Sequence, residues 1–358
     1  MLRVRPSVQT LQEYHPPLAR RNGVRLDFNE NTVGCSPRVL QALAQITADN
    51  LARYPERQPA EAVIAEHLGL APEQVLLTNG VDEAIHLLCE AYLEPYDEVL
   101  VVAPTFSMYE IYAAATGARV LRVQAEADFT FPLHKIIRRI TPATRVIAIA
   151  SPNNPTGTVA SGEQLLQIAS AAPNAAVLVD EAYYEFHSET IVPEIATTAN
   201  LFIARTFSKA YGLAGLRIGA LCGPATQMRS LRRIASPYNV NAVALIALRA
   251  ALEDQEYVAA YVSEILEQRE RLASQLAELG IPYWPSQANF LLLKIGPLHR
   301  EFVSALRQRG ILVRDRSADP GCDGCVRITI GSKTQMNGLI IALKETWGEL
   351  KLRRGVTA

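Results

Sequence analysis

Between about residue 60 and residue 250, short apolar runs alternate with segments whose apolar residues recur at helical spacing. The predicted strands are Val75–Thr78, Glu98–Val102, Arg119–Val123, Arg145–Ala150, Ala176–Asp180, Asn200–Arg205 and Arg217–Cys222. Helical patterns separate many of them, for example Val81–Leu93, Phe106–Ala115 and Gly162–Ser170. This alternation predicts an α/β fold whose large domain has a mainly parallel, seven-stranded sheet covered on both faces.

The pattern changes near residue 254. A long amphipathic stretch predicts one helix over Asp254–Leu279, which Gly280 ends. It is followed by three predicted strands and two predicted helices: Ala288–Lys294, His299–Arg309, Ile311–Arg314, Val326–Ile330 and a last helix from Thr334. We therefore predict a small α+β C-terminal domain over 254–358 and a large domain over 51–253. Residues 1–50 are predicted to form an arm and a helix that pack with the small domain.

The composition is that of an ordinary globular protein, with 49% hydrophobic and 20% charged residues in a chain of 358. A formal net charge of −1 provides no basic surface for nucleic acid or anionic membranes. The apolar runs are too short to span a bilayer, and residues 1–10 lack the apolar core of a signal peptide. With few cysteines, these features predict a cytoplasmic protein without nucleic-acid or membrane partners.

The five cysteines are too few, and odd in number, for a disulfide framework. Cys322 and Cys325 have CxxC spacing, but no second pair or histidine follows at zinc-finger spacing. We favour a turn that happens to carry two thiols and leave a redox role open. No metal site is predicted.

The segment 205–219 holds the most suggestive chemistry. Lys209 follows a predicted strand beside Ser208, and Arg217 comes eight residues later. A lysine in this setting can form a Schiff base with an aldehyde cofactor, while serine and arginine bind the cofactor's phosphate. The alternative is a surface loop with incidental charges.

Two further loops follow predicted strands and fit the same idea. Asp180 ends a buried apolar strand, where a carboxylate needs a partner such as a protonated pyridine nitrogen. Asn154 lies in the rigid loop 151–157, from which it could donate to a phenolic oxygen. A helix N-cap for Asp180 and a plain turn around Asn154 are the alternatives.

Two more strand-end segments complete the pattern. Gly80 and Asp82 open a predicted helix, whose free N–H groups bind phosphate well, although Asp82 could simply stabilise the helix dipole. Phe106 follows another strand and could stack on a flat ring or pack in the core. Asn154, Asp180 and Lys209 are each separated by one strand–connection–strand step, which predicts that they lie at the same edge of the sheet.

These motifs resemble the fold-type I pyridoxal-phosphate-dependent aminotransferases. The resemblance is carried by Asn153-Asn-Pro-Thr-Gly157, by Asp180 with Tyr183, and by Ser208-Lys209 with Arg217. Other segments are similar to the histidinol-phosphate aminotransferase branch: Leu26–Asn31, Arg53–Pro55, Gly310–Asp315 and Gly324–Gly331. The resemblance extends over roughly residues 12–345.

The resemblance implies pyridoxal 5'-phosphate as the cofactor and a role for each matching residue. Lys209 is the Schiff-base lysine and proton shuttle, and Asp180 pairs with the ring nitrogen. Asn154 and Tyr183 contact the phenolic oxygen, and Phe106 stacks on the ring. The remaining cofactor-binding positions surround the phosphate: Gly80, Val81, Asp82, Thr206, Ser208 and Arg217. Tyr54 resembles a tyrosine that reaches the phosphate from a neighbouring subunit, which implies a homodimer.

The resemblance also implies substrate contacts. Arg314 and Arg327 would bind the substrate's phosphate or carboxylate, although a surface ion pair between Arg314 and Asp315 is the alternative. Asn31 and Tyr14 are further substrate-binding candidates, together with Asn154. The chain departs from the usual family pattern at Thr32-Val33, where Pro-Tyr is common, and at Phe106, where tyrosine is frequent.

The predicted reaction is transamination of L-histidinol phosphate with 2-oxoglutarate, which yields imidazole acetol phosphate and L-glutamate. The alternatives are an aromatic amino-acid aminotransferase and a decarboxylase of threonine O-phosphate on the same scaffold. A transcription regulator with an aminotransferase-like domain is disfavoured, because the chain has no spare length or basic face for a DNA-binding domain.

Overall fold

The computed structural model describes residues 2–15 and 22–353. The strands are β1 (Val24–Arg25), β2 (Val75–Thr78), β3 (Glu98–Ala103), β4 (Arg119–Gln124), β5 (Thr144–Ala150), β6 (Ala176–Asp180), β7 (Leu201–Thr206), β8 (Gly219–Cys222), β9 (Tyr283–Trp284), β10 (Phe290–Lys294), β11 (Ile311–Leu312), β12 (Arg314–Asp315) and β13 (Cys325–Thr329). The helices are α1 (Pro6–Gln9), α2 (Pro37–Ala44), α3 (Ala48–Ala52), α4 (Gln58–Leu68), α5 (Gly80–Tyr92), α6 (Met108–Thr116), α7 (Leu133–Arg139), α8 (Gly162–Ala171), α9 (Ala225–Ile234), α10 (Ala242–Leu252), α11 (Gln255–Leu279), α12 (His299–Gln308) and α13 (Lys333–Arg353).

Within the described residues, seven strands form a large sheet in the order β2-β8-β7-β6-β5-β3-β4. Strand β8 runs antiparallel to both of its neighbours, and the other pairs are parallel. The predicted α/β class, with a mainly parallel seven-stranded sheet, is confirmed. Because β5, β6 and β7 are adjacent and parallel, the loops that follow them meet at one edge.

Helices cover both faces of this sheet, which explains why its central strands are almost continuously apolar, whereas the edge strand β4 is largely exposed. Val177 and Val179 pack into one core with helices α4, α8 and α10, whereas Leu178 and Phe202 pack into a second core with α5, α6 and α9. Successive side chains of a strand point to opposite faces, so a strand buried on both faces needs apolar residues at every position.

The structure places the predicted strands with small shifts at their ends. Val75–Thr78 and Ala176–Asp180 have the predicted bounds, while the strand predicted over Arg217–Cys222 begins at Gly219. Arg217 is in the left-handed region, with φ of 54°, and therefore cannot continue a strand.

A second, smaller sheet has the antiparallel order β12-β13-β10-β9 and packs with α11, α12 and α13. The single strand predicted over Ile311–Arg314 is wrong. Val313 separates β11, which pairs with β1, from β12, which pairs with β13. The apolar run is continuous, but its hydrogen-bonding partner changes in the middle.

The N-terminal segment touches both parts of the molecule. Strand β1 pairs in parallel with β11, and α2 packs against α10. Helix α2 begins as the sequence suggests, since the Ser36 side chain accepts a hydrogen bond from the Arg38 backbone and Pro37 occupies the first turn. The division of the chain into domains at residues 50 and 254 stays a prediction. Among the described helices, none combines the length and apolar character needed to cross a membrane.

Candidate active site

A cavity of about 220 Å³ opens where the loops after β5, β6 and β7 meet. Its lining includes ten residues that the sequence predicts for the site: Val81, Asp82, Phe106, Asn154, Asp180, Tyr183, Thr206, Ser208, Lys209 and Arg217. The structure therefore brings together side chains from five separate loops. Gly80 adjoins the cavity, because a Cβ built on it would lie 2.5 Å from Nη2 of Arg217, a lining residue.

The amine of Lys209 lies inside this cavity, between the N-terminal segment and Tyr183. Its Nζ donates a hydrogen bond to the backbone oxygen of Phe28 over 3.3 Å and lies 5.7 Å from the centroid of the Tyr183 ring. The Tyr183 hydroxyl accepts a hydrogen bond from Asn29 Nδ2 at 2.9 Å. Among the described residues, the lysine amine has one long hydrogen bond to the backbone and no ion pair, so it can move without breaking one.

Asp180 is buried at the end of β6, where its carboxylate has two donors. The hydroxyl of Tyr109 donates to Oδ2 over 2.5 Å, and the Ala182 backbone N–H donates to Oδ1 over 3.0 Å. Burial raises the pKa of Asp180 to about 6, and the two hydrogen bonds and Lys209 oppose that rise. A cationic partner would relieve the cost of keeping this carboxylate ionised.

An anion-binding wall is formed by the start of α5, the Ser208 hydroxyl and Arg217. The first N–H groups of a helix have no intrahelical partners and attract anions. Ser208 Oγ is buried, and no described residue offers it a hydrogen bond. The Arg217 side chain is half-exposed and donates to Asp82 Oδ2 at 3.0 Å. These residues fit a phosphate group, because each donor is uncommitted or easily redirected.

Arg327 on β13 joins the small sheet to the cavity. Its Nη1 donates to Asn154 Oδ1, and its Nη2 donates to the backbone oxygen of Asp27 over 2.7 Å. Because Asn154 accepts through Oδ1, its Nδ2 remains as the donor of that amide. Burial, together with the nearby charges of Arg316 and Arg314, lowers the pKa of Arg327 to about 9. An anion beside Arg327 would offset this repulsion.

Arg314 on β12 lies next to the same region. Its guanidinium carbon is 5.4 Å from the centroid of the Phe28 ring. Arg314 Nη1 and Arg327 Nε are both buried donors without a hydrogen-bond partner among the residues described. Asp315, the alternative partner considered for Arg314, bonds instead to His299 Nδ1 at 2.9 Å.

Six candidates from the sequence are not part of the cavity lining: Gly80, Arg314 and Arg327, which adjoin lining residues, and Asn31, Tyr54 and Tyr14. Asn31 braces its own loop: its Nδ2 donates to the Ala210 backbone oxygen, and its Oδ1 accepts from two backbone N–H groups. Tyr54 is 78% exposed and stacks on Tyr238, with ring centroids 4.3 Å apart. Tyr14 is exposed near the N-terminus. Their proposed roles stay predictions.

The cavity also contains residues that sequence reasoning did not select. Phe28 and Tyr109 line it, and Asn29, which is not part of the lining, donates a hydrogen bond to the hydroxyl of Tyr183. Tyr109 stands three positions after Phe106, and their rings pack edge to face at 5.8 Å. In the helix predicted over Phe106–Ala115 that spacing places both side chains on one face, a signal that could have identified Tyr109, although the observed helix begins at Met108.

The CxxC pair lies away from this cavity. Cys322 and Cys325 are buried free thiols in a turn closed by a hydrogen bond from the Cys325 N–H to the Cys322 oxygen at 2.8 Å. Within the described residues, no cluster of three or more His, Cys, Asp or Glu side chains could hold a metal ion. A redox role for the pair is untested.

The chain belongs to the family of class I and II aminotransferases, because the model of that family matches residues 21–343. Among its relatives is the histidinol-phosphate aminotransferase of Dehalococcoides mccartyi (strain CBDB1), which is 38% identical over 326 residues and 90% of both chains. That of Moorella thermoacetica is 36% identical, over 96% of this chain and 91% of the relative. The solved histidinol-phosphate aminotransferase of Sinorhizobium meliloti, in complex with pyridoxal-5'-phosphate, has a TM-score of 0.89 at 26% identity. That match covers 98% of this chain and 99% of the other.

Proposed function

We propose that this protein transfers the amino group of L-histidinol phosphate to 2-oxoglutarate, with pyridoxal 5'-phosphate as cofactor. The products are imidazole acetol phosphate and L-glutamate, a step of histidine biosynthesis. The relatives' names support this assignment. The observation that carries it for this chain is the pair of unpartnered buried donors, Arg314 Nη1 and Arg327 Nε.

The residues of the cavity fit the cofactor. The start of α5, Ser208 and Arg217 would hold its phosphate, and Asp180 would pair with its ring nitrogen. Phe106 would cover the ring, while Asn154 and Tyr183 would donate to its phenolic oxygen. When bound, the cofactor supplies an aldehyde that captures the amine and a ring that withdraws electrons. Lys209 then holds and moves the proton at the substrate carbon that carries the nitrogen.

The two arginines suit a substrate whose terminal group is a phosphate. A phosphate carries more charge and more acceptor oxygens than a carboxylate, and guanidinium groups bind both in a planar, bidentate manner. Arg327 Nε and Arg314 Nη1 are buried, and no described residue accepts a hydrogen bond from either, so an entering anion gains two donors that this part of the chain leaves unsatisfied. The same pair would accept the carboxylate of glutamate in the second half-reaction.

The test is a panel of amino donors in single-turnover absorption measurements. We expect L-histidinol phosphate to convert the bound cofactor far faster than L-phenylalanine at equal concentration. The reverse preference would identify an aromatic aminotransferase. Release of CO₂ from threonine O-phosphate without a keto-acid acceptor would identify a decarboxylase.

We further propose a homodimer in which Tyr54 completes the partner's phosphate site. Its support is the 78% exposure of an aromatic side chain that has no place in the core of its own chain. Mixing inactive Tyr54→Ala and Lys209→Ala chains should restore about a quarter of the parent activity, because each mixed dimer contains one complete site. Activity that stays at the level of the separate variants would refute shared sites. The cytoplasmic location stays a prediction.

A further inference from the structure

Tyr109 is a buried residue of the cavity lining. Its side chain is 1% exposed, and its hydroxyl donates to Oδ2 of Asp180 at 2.5 Å. The edge-to-face contact with Phe106 holds its ring in place. Arg314 and Arg327, the residues proposed to bind the substrate, take no part in these two contacts. The hydrogen bond joins α6 to the end of β6.

We propose that Tyr109 is a positioning residue that keeps the Asp180 carboxylate ionised and aimed at the ring nitrogen of bound pyridoxal phosphate. The inference rests on the proposed function, since it concerns the same cofactor. Tyr109 itself touches neither the substrate nor the reacting atoms in this arrangement. It acts through Asp180.

The two oxygens of Asp180 are held by different donors. Oδ2 receives the Tyr109 hydroxyl, and Oδ1 receives the Ala182 N–H. With both donors in place, the plane of the carboxylate is fixed, and each oxygen keeps one lone pair for another donor. Without the hydroxyl, the carboxylate would lose one restraint on its orientation.

The hydroxyl also acts on the charge of Asp180. Burial favours the neutral acid, whereas a donated hydrogen bond favours the carboxylate. The other charged groups facing Asp180 are Asp82 of α5, which raises its pKa, and Lys209 of the loop after β7, which lowers it. A neutral Asp180 could not form an ion pair with a protonated ring nitrogen, so the ring would withdraw electrons less strongly.

Tyr109→Phe removes only the hydroxyl, and Tyr92→Phe is the matched control. The Tyr92 hydroxyl also donates a hydrogen bond, to Gln227 Oε1 at 2.9 Å, but far from the cavity. Each variant is loaded with ¹⁵N-labelled pyridoxal phosphate, and the ring-nitrogen resonance is recorded by NMR. We expect the resonance in Tyr109→Phe to move toward the value of an unprotonated ring, while Tyr92→Phe matches the parent protein.

Steady-state kinetics provide the second measurement. A hydrogen bond to a charged group changes an equilibrium by about tenfold to a hundredfold, so kcat of Tyr109→Phe should fall by about tenfold or more. The KM for histidinol phosphate should change by less than about twofold, because Tyr109 does not contact substrate. In an Asp180→Asn background, Tyr109→Phe should have no further effect on the nitrogen resonance.

A nitrogen resonance and kcat identical to those of Tyr92→Phe would overturn the inference, and Tyr109 would then be an ordinary core residue. If Tyr109→Phe does not fold, a ¹³Cζ-labelled tyrosine at position 109 of the parent serves instead. Its resonance should differ between pyridoxal phosphate and 1-deazapyridoxal phosphate, which lacks the ring nitrogen; identical resonances would overturn the proposal. Failure of the parent protein to take up pyridoxal phosphate would instead refute the proposed function.

Discussion

Replacing Gly80 with alanine tests the anion-binding wall without altering any charged group. Gly80 has φ of +75°, and a Cβ built on it would lie 2.5 Å from Arg217 Nη2. That distance is shorter than any real contact, so the guanidinium must move. Gly69 is the matched control, because it has φ of +67° and nothing within 4 Å of its ideal Cβ.

The two substitutions share one cost and differ in another. An L-residue in the left-handed region costs about 1–2 kcal/mol, so both variants should lose about that much free energy of unfolding. Only Gly80→Ala displaces Arg217, whose hydrogen bonds to a phosphate are worth about 1.5–3 kcal/mol. We therefore expect the dissociation constant for pyridoxal phosphate to rise by about tenfold to a hundredfold in Gly80→Ala and to change little in Gly69→Ala.

The assay combines urea unfolding of the cofactor-free proteins with titration of each by pyridoxal phosphate. Equal cofactor affinities in the two variants would refute the role of Arg217 in the wall. A loss of unfolding free energy much larger in Gly80→Ala than in Gly69→Ala would also contradict the reasoning, because it would mean that the backbone, rather than a flexible side chain, absorbs the contact.

Three further predictions concern the cavity. Lys209→Ala should abolish the absorption band of lysine-bound pyridoxal phosphate, and a surviving band would mean that another amine holds the cofactor. Arg327→Lys keeps the charge but loses the planar guanidinium, so the KM for histidinol phosphate should rise by about tenfold or more. Arg309→Lys is the control, because its partners Glu345 and Glu349 lie away from the cavity. Burial raises the pKa of Asp180 to about 6 in the folded protein, so its contribution to stability is present at low pH and is lost as pH rises through that value. Urea unfolding of the cofactor-free proteins checks this. The free energy of unfolding of Asp180→Asn, relative to that of the parent, should rise by about 3 kcal/mol as the pH increases from about 4 to about 7. A difference that does not change with pH would contradict this.

The large sheet and the loops that carry chemistry were predictable because each is encoded locally. Apolar runs with flanking glycine, proline and polar residues indicate strand ends, and parallel strands bring their carboxyl ends to one edge. Asn154, Asp180 and Lys209 each follow such a run, and the structure gathers them around one cavity. Their order along the chain was sufficient to predict that neighbourhood.

The contacts that orient those side chains were not predictable, because they join distant parts of the chain. Asn29 and Tyr183 are 154 residues apart, and Arg327 and Asn154 are 173 apart. No local pattern specifies such a pair, since it depends on how the N-terminal segment and the small sheet pack on the large sheet. The break at Val313 has a similar origin, because a change of pairing partner leaves an apolar run unaltered.

The hydrogen bond between Arg327 and Asn154 has a consequence for redesigning this protein. The guanidinium of Arg327 is the group proposed to bind the substrate anion, and it also donates a hydrogen bond to the Asn154 amide, which is proposed to contact the cofactor ring. A substitution of Arg327 chosen to admit a different substrate would therefore also release Asn154. Replacements at the two positions should be selected together, because their effects will not add.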